Sequence, residues 1–229
     1  MRNKLSAFSA QLSAKKVISS VVFLTFIFTF NSLVATAASA AGVDETVEMI
    51  QKKFETIKEL KGTFSQTSYI KDLEETQKFS GTFFLIKPSR MMWEYAKPRD
   101  EKVIINGTET WIYKRSQNQV IKTTFSKESY SQVPIAILQS FENIRDDFDI
   151  TMPEENALQL MPKRKIGFIK TLILETATDS FPIKMFTIID TYGNIIMIEL
   201  ENIKTNPGLD PSTFIFKVPQ GAEVFDMSK

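Results

Sequence analysis

The chain has 229 residues, a formal net charge of +1, and neither cysteine nor histidine. Without cysteine no disulfide framework can hold the fold, so a hydrophobic core must do so. Without histidine the commonest general base and metal ligand is missing. The balance of 28 basic and 27 acidic residues leaves no basic surplus, and nucleic acid is excluded as an expected partner.

Residues 1–40 read as an export signal. Arg2, Lys4, Lys15 and Lys16 form a basic start, Val17 to Phe30 is a 14-residue apolar run, and Ala38-Ser39-Ala40 is a small-residue cleavage site. The run is too short to span a bilayer comfortably. The whole chain carries +1 and this segment four positive charges with no negative one, so the remainder carries −3. Residues 41–229 are expected to form a single domain, exported and, with no cysteine after the signal, free of an N-terminal lipid anchor.

From Asp44 to Leu60, Val47, Ile50, Phe54 and Ile57 recur at spacings of three and four, with charged residues between them. This predicts an amphipathic helix laid on an apolar surface, ending at Gly62. Beyond Gly62 the period falls to two. Strands are predicted over Thr63–Ile70, Gln77–Lys87, Met91–Tyr95, Lys102–Asn106, Thr110–Lys114 and Gln119–Thr124. Six more follow over Asp147–Met152, Ala157–Pro162, Thr171–Thr176, Pro182–Asp190, Ile195–Asn202 and Thr213–Val218. Asn106-Gly107 and Tyr192-Gly193-Asn194 are hairpin signals. Pro134 to Phe141 reads as a helix with Ile135, Leu138 and Phe141 on one stripe, and Asp210 caps a short turn begun by Pro211.

Strands joined by turns imply an antiparallel meander, and this many must curl, close or split. The expected fold is mainly β with α: one strongly curved antiparallel sheet forming an unclosed barrel covered by a helical lid.

Chemistry finds few footholds. Asp146, Asp147 and Asp149 beside Arg145 read as a solvated charge run at a loop-to-strand junction, and Glu74-Glu75 as part of a hairpin turn. No phosphate-binding glycine loop or calcium-loop spacing occurs, so no cofactor or metal is expected and the chain is not read as an enzyme. Apolar surface is plentiful instead, with 19 phenylalanines and 9 methionines. Met91, Trp93 and Tyr95 share one face of a strand. On the neighbouring strand Phe83 and Leu85 fall on one face while Phe84 and Ile86 fall on the other. Such faces either fill a core or line a cavity for an apolar ligand.

The segments GTFFLIKPSRMMWEY, NGTETWIYK, DTYGNI and LDPSTFIFKVPQGAEV, in this order and spacing, resemble the LolA family of periplasmic outer-membrane lipoprotein carriers. The resemblance spans the chain from the first helix to the last strand. It implies a monomer that takes up the acyl chains of lipoproteins released by an inner-membrane ABC-type complex and passes them to an outer-membrane lipoprotein receptor. It implies that Phe83, Leu85, Met91, Trp93, Ile135 and Leu138 line the acyl-chain cavity. It also makes Lys87, where relatives carry arginine, the latch of the lid; lysine keeps the charge but lacks the planar fork of donors. A lipid- or lipoprotein-sensing protein of the same fold is the alternative. The anchored receptor is disfavoured by the missing cysteine.

Overall fold

The computed structural model describes residues 34–126 and 143–228. Among them the chain begins with helix α1 (Val34–Thr56) and continues as β1 (Glu59–Ile70), β2 (Glu75–Ile86), β3 (Arg90–Tyr95), β4 (Glu101–Asn106), β5 (Glu109–Lys114) and β6 (Gln119–Thr124). A single turn of helix, α2 (Ile144–Asp147), leads into β7 (Phe148–Glu154), β8 (Ala157–Pro162), β9 (Ile169–Thr176), β10 (Ile183–Asp190) and β11 (Ile195–Thr205), and β12 (Glu223–Asp226) comes last. The predicted helix over Pro134–Phe141 lies outside the described residues.

These twelve strands form one sheet in the order β12-β6-β5-β4-β3-β2-β1-β11-β10-β9-β8-β7. β12 and β7 stand at its two ends unpaired with each other, so the sheet is an unclosed barrel. Neighbours run antiparallel except β12, which lies parallel to β6. The turns at Asn106-Gly107 and around Gly193 form as the sequence predicts, with φ of 69° and 86° at the two glycines. A sheet of this width has to curl. One buried cluster joins Ile105 of β4, Phe64 of β1, Phe186 of β10 and Leu158 of β8 to Val47, Ile50 and Phe54 of α1. The helix therefore occupies the concave side and is shared by both halves of the sheet.

Contacts along its length pin α1. At its middle, Asp44 pairs with Arg145 of α2 and the Thr46 hydroxyl donates to the Met152 sulfur of β7 at 3.6 Å. Near its end, the Lys53 ammonium donates to the carbonyls of Thr178 and Asp179 at 3.2 and 2.6 Å, and Phe54 meets Phe181 edge to face at 5.5 Å.

The predicted end of this helix at Gly62 is wrong. The helix stops at Thr56 and Gly62 lies inside β1, opposite Phe83. A Cβ there would meet the Phe83 ring at 2.8 Å and the Glu201 carbonyl at 2.9 Å, and the register with β11 slips at this point. Glycine serves a bulge and a close ring contact here, not a cap.

The predicted strand over Thr213–Val218 is also absent. The Asp210 carboxylate accepts from the Ser212 amide at 2.8 Å and caps a 3₁₀ turn over Pro211–Phe214. The segment that follows crosses the convex face of the sheet as a strap. Phe214 is fully buried there with Met92 of β3 and Ile104 of β4, flanked by Phe84, Ile86, Trp111, Leu209 and Phe216. Glu59 fixes its start by accepting from the amides of Gly208 and Leu209 at 2.7 and 2.8 Å. Its far end becomes β12. The apolar residues on both faces of β2 are thereby explained: Phe83 and Leu85 face α1, while Phe84 and Ile86 face the strap.

Candidate functional site

The concave face of β1 to β4 gathers the aromatic residues. Register sets Leu85 opposite Met91 and Phe83 opposite Trp93, with Trp93 opposite Val103 and Met91 opposite Ile105 on the far side. Phe83, Leu85, Met91 and Trp93 thus form one continuous patch, and each is at most 1% exposed. Ile135 and Leu138, the other two expected cavity residues, lie outside the described residues.

Trp93 is the centre of this patch. Phe64 stacks on it with centroids 3.8 Å apart and planes at 19°, and Phe83 lies on its other flank at 5.9 Å. Tyr95 stands edge-on to both Phe64 and Trp93. Two glycines permit this density. Phe64 lies opposite Gly81 just as Phe83 lies opposite Gly62. A Cβ on Gly81 would come within 2.0 Å of the Glu94 carbonyl and 2.7 Å of the Phe64 ring. The reciprocal glycine–phenylalanine pairs went unread in the sequence, although a glycine inside an alternating run is the signal of a close approach.

Two polar atoms on this face have no hydrogen-bond partner among the described residues: the Trp93 indole nitrogen and the Thr110 hydroxyl. Beyond Tyr95 the face turns polar. The Tyr95 hydroxyl donates to Gln66 Oε1 at 2.9 Å, and Gln66 Nε2 donates to the Ser68 hydroxyl at 2.9 Å. Burial pushes the Tyr95 phenol above its ordinary pKa, with the Arg99 guanidinium opposing it, so the phenol is neutral and available as a donor.

Lys87 closes the opposite end. Its ammonium donates to the Phe54 carbonyl in the last turn of α1 and stands 5.4 Å from the Phe54 ring centroid, while its backbone amide donates to the Lys58 carbonyl at 2.9 Å. A cation at a helix C-terminus is favourable both for the exposed carbonyls and for the helix dipole. Within the described residues, then, Lys87 ties α1 to the end of β2.

The acidic residues near Arg145 do not converge. Asp147 is buried at the end of α2, 3.8 Å from Arg164, which corrects the expectation of a solvated run; Asp146 and Asp149 are exposed. The end of α2 carries Asp147 inward, between Ile144 and Phe148, which are both buried in the core. Among the described residues no cluster of acidic side chains could hold a metal ion, and no helix is long and apolar enough to cross a membrane.

The model of the outer membrane lipoprotein carrier protein family, LolA, matches residues 55–217, from the last turn of α1 into the strap. The chain belongs to the LolA family. An outer-membrane lipoprotein carrier protein of Francisella tularensis subsp. tularensis is 29% identical over 217 residues, covering 91% of this chain and 98% of that protein. One from Alkalilimnicola ehrlichii is 24% identical over 178 residues, covering 77% and 82%. Among solved structures, a LolA superfamily protein from Nitrosomonas europaea aligns with a TM-score of 0.45 at 10% identity, covering 76% of this chain and 97% of that one.

Proposed function

We propose that the protein is a periplasmic lipoprotein carrier that holds acyl chains against the concave face around Trp93. It would receive them from an inner-membrane ABC-type releasing complex and surrender them to an outer-membrane receptor. Its membership of the LolA family supports this reading, and the observation that carries it is the wall formed by Phe83, Leu85, Met91 and Trp93 beneath a helix. A wall of this kind binds and does not react, in keeping with a carrier and not an enzyme.

The energetics suit transfer. Each buried methylene gains about 0.8 kcal/mol relative to water, so a carrier needs only apolar area to extract a chain from solution. Release requires that the receptor offer a comparable site. Because α1 covers the wall, acyl chains enter by parting the helix from the sheet, an unfavourable step that binding offsets. The Lys87 bond to the Phe54 carbonyl resists that step, which gives the residue a latch role toward α1. Ile135 and Leu138 are proposed to face the acyl chains from the segment that completes the cover.

The test uses inner-membrane vesicles carrying an acylated lipoprotein and an ATP-driven releasing complex. The wild-type protein is expected to recover the lipoprotein in a soluble one-to-one complex, and Leu138→Glu is expected to recover none while remaining folded. Lipoprotein that stays in the membrane with the wild-type protein would sink the proposal. Equal recovery by Leu138→Glu would remove that residue from the site.

A further inference from the structure

The concave face does not end at Tyr95. Beyond it lies an open cleft of about 680 Å³ lined by Gln66, Ser68, Gln77, Phe79, Arg99 and Ile196, among others. It continues the face of the Trp93 wall, since Phe64, Gln66 and Ser68 alternate along β1 opposite Gly81, Phe79 and Gln77 of β2. It lies at the end away from Lys87. Along one face, therefore, the lining changes from wholly apolar to a mixed one, in which amides, a hydroxyl, a guanidinium and the Lys78 ammonium stand among Phe79, Pro98 and Ile196. Arg99 lies flat over the Tyr95 ring, 3.9 Å from its centroid, and pairs with Glu101 at 2.9 Å, so the cation is fixed at the rim. At the border, Trp93 itself is fully buried and meets Tyr95 edge-on, with centroids 6.2 Å apart.

We propose that this cleft receives the polar junction of an acylated polypeptide, namely its ester and amide carbonyls and first peptide units, while the Trp93 wall takes the hydrocarbon. The inference rests on the carrier reading above and adds to it an orientation for the ligand. Carbonyl oxygens need donors when they leave water. The Ser68 hydroxyl, the Arg99 guanidinium and the second amide proton of Gln77, whose first goes to Glu75 Oε1 at 3.1 Å, supply them along one face. A free fatty acid would use the wall without needing the cleft. The site thus discriminates in favour of acyl chains attached to a peptide.

Two probes separate the parts: a dipalmitoylglyceryl-cysteinyl hexapeptide and free palmitate, each titrated against the full mature protein by displacement of a fluorescent fatty acid. Ser68→Leu combined with Gln77→Leu removes two donors and is expected to weaken the lipopeptide about tenfold, the loss expected for two neutral hydrogen bonds. Palmitate affinity is expected to stay within about twofold, which also reports that the variant is folded; Gln77→Ala alone is expected to show the same selectivity, about threefold. Unchanged lipopeptide affinity, or equal losses for both probes, would overturn the cleft assignment and leave the carrier reading standing. If the wild-type protein binds neither probe, both readings fall together.

Discussion

Trp93 and Trp111 lie two strands apart in one meander and face opposite ways, and their surroundings differ in what can be removed. Trp93 is fully buried and stacked on Phe64. It is covered by α1, a separate element held at its end by Lys87. Trp111 is half-buried on the convex face, tilted against Phe216 at 5.3 Å, with the Lys122 ammonium 5.1 Å from its ring centroid. The strap that covers it is held by its amides donating to the Glu59 carboxylate, by the Asp210 cap and by the pairing of β12 with β6. The same sheet thus carries one aromatic cluster closed by a helix held through side-chain contacts and one closed by chain that is paired into the sheet. On the proposed function the first is a binding wall and the second a permanent core, built from the same residue types under different covers.

The comparison breaks first at Gly81. Gly81→Val drives a side chain into the Glu94 carbonyl and the Phe64 ring, displacing backbone, and is expected to abolish the cooperative thermal transition. Next come paired truncations on the two sides. Trp93→Ala and Phe214→Ala each remove a large buried ring and are expected to destabilise by about 3–5 kcal/mol in denaturant titrations. Only Trp93→Ala is expected to lose acyl binding as well, at a temperature where both variants remain folded. Binding lost equally in the two would show that the convex cluster is not merely structural.

Smaller again is the effect at the latch. Lys87→Met removes a charge-assisted bond worth about 1.5–3 kcal/mol, and should raise amide hydrogen exchange in the last turn of α1 by about tenfold or more while leaving the strap amides unchanged. Lys87→Arg should hold that exchange at the wild-type rate. The smallest effect is pH-dependent and belongs to the strap. The Ser212 amide holds the Asp210 carboxyl below its ordinary pKa, so its contribution is present above the ordinary carboxylate range and is lost as pH falls through the lowered value. Acid should therefore loosen the Pro211–Phe214 turn, and Asp210→Ala should remove that dependence.

Much of this architecture could be read from the residues. Alternation located eleven of the described strands because most bury one parity, and an antiparallel sheet makes that pattern plain; β3 and β4 bury both parities, since the strap covers their second face. Where reading failed, the cause was tertiary. Phe214, Phe216 and Val218 alternate as a strand would, yet Phe214 and Phe216 pack on the back of a sheet already formed while Val218 is exposed. The four residues of β12 are all exposed and carry no buried parity to detect. Gly62 looks like a helix stop until the Phe83 ring is seen lying against it. The expected site residues on β2 and β3 are brought together because period two fixes which side chains share a face. The role of Lys87 toward α1 was out of reach, since nothing local joins a residue at position 87 to a carbonyl at position 54. The Tyr95–Gln66–Ser68 chain was missed for the same reason.

The parallel seam between β12 and β6 has a consequence for the order of folding. Gln119 pairs with Glu223 across more than a hundred intervening positions, so this contact forms only when nearly all of the chain is available. Until then the edge of β6 is unpaired and the backs of Phe84, Met92, Ile104 and Trp111 are bare, the two features that invite association between copies. A chain ended at residue 208 should accordingly aggregate during refolding at concentrations where the full chain recovers, even though every element of the concave wall is still present.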